Sequence, residues 1–97
     1  MWTATAARQR REVLQYWTRR NGSTQYDEKL IRLTTNQIQV ILAHPESFKS
    51  TTYPGIRESA LGHFSIYYQL TKENLIITAF WDNRQDPSKL LEIIRKG

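Results

Sequence analysis

The sequence has no cysteine, which excludes disulfide bonds, cysteine-ligated zinc and thiol catalysis. It has only two histidines, His44 and His63, too few for a histidine-rich metal site. It also lacks a long apolar run. The longest mostly apolar stretch, residues 75–81, falls far short of the roughly 18 residues a membrane-spanning helix needs. The N-terminal stretch, residues 1–11, has no continuous apolar segment of the kind a secretory leader carries, so a cytoplasmic protein is expected. The acidic loop at residues 82–86 has too few ligands, and no terminal glutamate, for calcium. No metal or cofactor is expected.

What is present is one small domain with an excess of positive charge. A chain of 97 residues suits one compact unit and is too short for two. A chain of this size buries about 60–65% of its unfolded surface, so a single two-layer core is feasible, its stability is marginal, and a bound partner matters. The formal net charge is +5. Near the N-terminus Arg8, Arg10, Arg11, Arg19 and Arg20 stand against Glu12 alone. Such a basic surface attracts polyanions, either nucleic acid or an acidic protein. The plainer alternative is a solvated helix face that keeps a small protein soluble.

Periodicity divides the chain in two. Thr3 or Thr5 can cap a helix running to about Arg20, with Ala6, Arg10, Val13, Leu14 and Trp17 on one stripe. Only Arg10 is out of character there, and its aliphatic stem can lie along the apolar face. Asn21-Gly22-Ser23 is a turn, and Ser23 or Thr24 opens a second helix with Tyr26, Leu30, Leu33, Ile38 and Ile41 near one face. That helix is predicted to end around His44, because Pro45 disfavours helical geometry in the residue before it. So short a connection implies an antiparallel helical hairpin.

Residues 49–55 read as a loop, and residues 56–61 as a short strand. Phe64, Ile66, Tyr68 and Leu70 then alternate with Ser65, Tyr67 and Gln69, as in a strand with one apolar face. Gly62-His63 and Lys72-Glu73-Asn74 look like hairpin connections. Residues 75–81 are apolar on both sides, as in a central strand covered on each face. Asp86-Pro87 or Pro87-Ser88 starts a final short helix whose apolar side is Leu90, Leu91, Ile93 and Ile94. The predicted class is α+β, an antiparallel sheet of three strands carrying the helical hairpin on one face and ending in a short helix.

Three segments carry a family resemblance: Tyr16-Trp17-Thr18-Arg19-Arg20-Asn21-Gly22-Ser23; Arg57 followed by Gly62-His63-Phe64-Ser65-Ile66-Tyr67-Tyr68; and Ile77-Thr78-Ala79-Phe80-Trp81-Asp82-Asn83-Arg84-Gln85-Asp86-Pro87. Together they resemble the RelE/ParE superfamily of type II toxin–antitoxin toxins, of the plasmid-stabilisation type. The likeness is greatest to members ending in Trp-Asp-x-Arg-Gln-x-Pro, and it extends from Trp2 to about Leu91. The sequence departs from the family at two places. Members usually begin with a β-strand that enters the first helix through a Trp-Ser or Trp-Thr step, whereas Trp2-Thr3 here stands at the start, so most of that strand is expected to be missing. Ser65 also stands where RNA-cleaving members carry an arginine for phosphate chemistry.

The resemblance implies a cognate antitoxin as partner and growth inhibition by the free toxin. RelE-type members cut mRNA in the ribosomal A site, as mRNA interferases; ParE-type members block DNA gyrase. Metal-independent RNA cleavage needs a base for the 2′-hydroxyl, an acid for the leaving oxygen and cations for the phosphate. Arg57 and Arg84 match basic positions of the family and are the candidates for the last task, by the bidentate fork of arginine. Each has a structural alternative: Arg57 can pair with Glu58 or Glu46, and Arg84 with Asp82 or Asp86. Tyr67 is the remaining catalytic or base-stacking candidate. His63, in a turn, and His44, at a helix end, need no special role. Residues 88–97 contain no tyrosine or histidine of the kind RelE-like enzymes use near the C-terminus.

Net charge, fold and the two arginines lean slightly toward a ribosome-dependent endoribonuclease. A ParE-like gyrase inhibitor, or a degenerate member that only binds antitoxin, are the alternatives. Arg10, Val13, Leu14 and Trp17 form the expected partner-binding stripe, suited to an acidic, amphipathic antitoxin segment, with no role for a membrane.

Overall fold

The computed structural model describes residues 1–22, 24–85 and 88–90. Helix α1 spans Ala4–Asn21. Thr3 caps it, its Oγ1 accepting from the Ala6 amide at 3.1 Å, and Gly22 closes it in the left-handed region at φ 64°, donating to the Thr18 carbonyl. Helix α2 spans Gln25–Ala43 and begins after Thr24, with Asp27 and Glu28 in its first turn, where they complement the positive end of the helix dipole. The Thr18 hydroxyl donates to Asp27 Oδ2, fastening the hairpin near its turn. The helix boundaries match those expected from the caps. Leu33, placed on the apolar stripe by periodicity, is exposed, while Thr34 is buried and returns its hydroxyl proton to the Leu30 carbonyl.

The sheet has four strands rather than three: β1 (Lys49–Ser50), β2 (Ile56–Leu61), β3 (Phe64–Leu70) and β4 (Leu75–Asp82), antiparallel throughout and in chain order. The segment read as a loop contributes β1, where Lys49 and Ser50 pair with Glu58 and Arg57. The Gly62-His63 connection turns through Gly62 at φ 60°, a conformation that suits glycine. β4 is the last strand of the order and not a central one. Its outer side is met by the N-terminal residues, where Trp2 bridges Ile77 in the parallel sense and Thr3 and Met1 exchange backbone hydrogen bonds with Ile77.

A bulge explains why residues 75–81 are apolar without alternation. Tyr67 pairs with Ala79 and Tyr68 with Ile77, so Thr78 is the extra residue, and its hydroxyl donates to the Tyr67 carbonyl. The bulge puts Leu75, Ile77 and Phe80 on the helix side, in a core with Ala6, Leu30, Ile41, Phe64, Ile66 and Tyr68. Ala79 and Trp81 go to the opposite face, with Tyr67 and Leu90. Residues 88–90 are helical, and Leu90 covers that second face. The architecture is therefore α+β, with two helices on one side of the sheet and a short helix on the other. The expectations for Ser23, Asp86, Pro87, Leu91, Ile93 and Ile94 lie outside the described residues.

Candidate functional site

The β4 edge and the outer side of the sheet each offer a functional surface. A groove of about 780 Å³ runs between α1 and the end of β4, at the β4 edge, and reaches Lys89 of the short helix on the other face. Val13, Tyr16, Phe80 and Trp81 give it apolar walls, and Arg8, Arg20 and Arg84 line it with positive charge. Trp17 organises the cations: the guanidinium carbons of Arg20 and Arg84 lie 5.8 and 5.4 Å from its ring centre, within cation–π range. Arg84 also forks onto Asp82, with Nε to Oδ1 at 2.9 Å and Nη2 to Oδ2 at 2.7 Å. The Arg84 side-chain bonds hold the Asp82 carboxyl below its usual range against the opposing effect of burial, and the Arg84 backbone N–H adds to them.

Of the predicted partner-binding stripe, Val13 and Trp17 line this groove. Leu14 packs inward against the core. Arg10 lays its guanidinium over Trp2, 4.5 Å from the ring centre, and its Nε is buried without a hydrogen-bond partner among the described residues. Sequence reading missed Gln9. Its Oε1 accepts the buried Phe80 amide at 2.9 Å, satisfying from a helix a group that a neighbouring strand would otherwise take. A glutamine between Ala6 and Val13 at helical spacing is the signal that could have found it.

The three catalytic candidates are not brought together. Arg57 pairs across the sheet with Tyr68, on the helix side, and its Nη1 donates to the carbonyls of Phe48 at 2.7 Å and Glu46 at 3.4 Å. Arg84 belongs to the groove beside α1. Tyr67 lies on the opposite face, where its hydroxyl donates to Glu58 Oε2 at 3.2 Å. Burial, and next the negative charge of Glu58, push the Tyr67 phenol up to about 12, so it keeps its proton at neutral pH. Ser65 is buried and donates to the same Glu58 oxygen at 2.7 Å. Its single proton is thereby used, so Asn83 Nδ2 donates to Ser65 Oγ at 2.9 Å. Among the described residues no three metal-ligating side chains converge, and no helix is long and apolar enough to cross a membrane.

The helical hairpin, the antiparallel sheet and the Trp81–Arg84 corner belong to one pattern, and comparison with protein families names it. The profile of the ParE toxin of type II toxin–antitoxin systems, parDE, matches residues 1–87. The chain belongs to the ParE toxin family. A comparison with curated proteins found no match. As a ParE-family toxin the protein has a cognate antitoxin as its partner. The match covers residues 1–87, so it takes in Glu58 and, Lys89 apart, every residue named above as lining the groove.

Proposed function

We propose that this ParE-family toxin arrests growth by binding a protein target, DNA gyrase, without cutting RNA. The observation that carries this reading is the dispersal of Arg57, Tyr67 and Arg84. Transesterification needs a base, an acid and cationic donors around one phosphate. Here one arginine is bonded to backbone carbonyls, the other is forked onto Asp82, and the tyrosine faces the other way with its proton held on Glu58. No arginine stands beside Glu58 and Tyr67 among the described residues. The antitoxin's acidic, amphipathic segment suits the α1 groove, with apolar side chains against Val13 and Trp81 and carboxylates toward Arg20 and Arg84.

Induced expression in a bacterial host tests the activity. Growth arrest with gyrase–DNA adducts, a DNA-damage response and unchanged RNA 5′ ends is the expected result. Translation-dependent cuts within open reading frames that vanish in Arg84→Ala would overturn it in favour of a ribosomal nuclease. Absence of arrest would mark a member that binds antitoxin only.

A further inference from the structure

The outer face of the sheet holds a feature separate from the α1 groove. Glu58 is half-buried in a chain of net charge +5, and among the described residues the groups that donate hydrogen bonds to it are neutral. The Ser65 and Tyr67 hydroxyls both donate to Oε2, and Asn83 fixes the Ser65 rotor from behind. Ser65 and Tyr67 are themselves buried, at 1% and 7% exposure, so the carboxylate is anchored to rigid strands. Both of these bonds fall on the one oxygen, Oε2. Lys49 is the cross-strand neighbour of Glu58 on β1, yet among the described residues the ion pairs within 4.0 Å are Arg8–Glu12 and Arg84–Asp82 only.

We propose that Glu58, oriented by Ser65 and Tyr67, is an acceptor site for an arginine side chain of a protein partner. A carboxylate held by two hydroxyls loses its freedom to swing, so a cation meets a preformed acceptor. A guanidinium suits it better than an ammonium because its planar fork can engage a carboxylate edge while it remains weakly hydrated. The charge is opposite to that of the α1 groove, so the two faces select different segments: an acidic one at Arg20 and Arg84, a basic one at Glu58. Assignment of that basic segment to the growth-arrest target rests on the protein-target reading above; the site itself rests on the geometry of β2 and β3.

Titration of the folded, full-length chain with N-acetyl-arginine-N-methylamide, followed by amide NMR shifts, tests the site apart from toxicity. Saturable shifts are expected at Glu58, Ser65, Tyr67 and Asn83, weakening about ten-fold in Glu58→Gln and with the neutral citrulline analogue. Lys49→Ala, which removes the neighbouring cation and leaves the acceptor intact, is expected to tighten binding by roughly two-fold. Equal shifts with citrulline, shifts unchanged in Glu58→Gln, or no saturable response in Lys49→Ala would each overturn the proposal. Gyrase assays do not enter these readouts, so a failure here and a failure of the protein-target reading are separately visible.

Discussion

At the scale of single residues, Gln9 and Arg57 show polar side chains used to finish the fold. Gln9 satisfies the Phe80 amide, and Gln9→Ala leaves a buried N–H without a partner. A loss of about 1–3 kcal/mol in urea unfolding is expected. Arg57→Ala removes the bonds to the Phe48 and Glu46 carbonyls and should cost about 1 kcal/mol, with growth arrest retained at permissive temperature. Loss of arrest at unchanged stability would return Arg57 to target contact. Tyr67 gives a pH signature. Its folded value, about 12, lies above the ordinary 10.0, so its stabilising contribution is whole below pH 10 and is lost as pH rises toward 12. Tyr67→Phe should flatten that alkaline slope in denaturation curves taken across the range. Asp82 has the opposite sign. Its depressed folded value gives a contribution present above the ordinary 3.8 and lost as pH falls through the folded value, which Asp82→Asn should abolish.

At the scale of elements, α1 is both a core helix and the wall of the groove. Ala6, Val13 and Leu14 face the sheet, while Trp17 gathers Arg20 and Arg84 at the far end. Trp17→Ala should therefore weaken antitoxin binding more than any one arginine truncation, and surface-plasmon association rates should fall with added salt, since the rim is cationic. A salt-independent on-rate would count against the groove as the antitoxin site. The helices and the two long hairpins were legible because caps, glycines and periodicity act locally. Strand β1 was not: two residues carry no alternation, and Lys49 and Ser50 become a strand only because β2 offers them an edge. Leu33 was misplaced for a related reason, since the stripe of α2 is set by contact with the sheet through Leu30, Thr34 and Ile41.

At the scale of the whole molecule, family membership was legible from the corner at residues 81–87, whereas the site was not. Motif positions name residues without naming faces. Arg57 and Tyr67 stand near one another on adjacent strands, yet one register step sends their side chains to opposite sides of the sheet. A small core under two charged surfaces also makes stability depend on partners, and saturating antitoxin should raise the melting temperature with rising concentration. The bulge at Thr78 reaches further. One added residue reverses the parity of β4 midway, so Ile77 and Phe80 share a side although an odd number of positions separates them. In a relative that lacks this extra residue, the bulky positions of the strand would run one place out of step. A comparison that closed the gap elsewhere would match inward side chains to outward ones, and would misassign the whole Trp81–Arg84 corner while every element still seemed to agree.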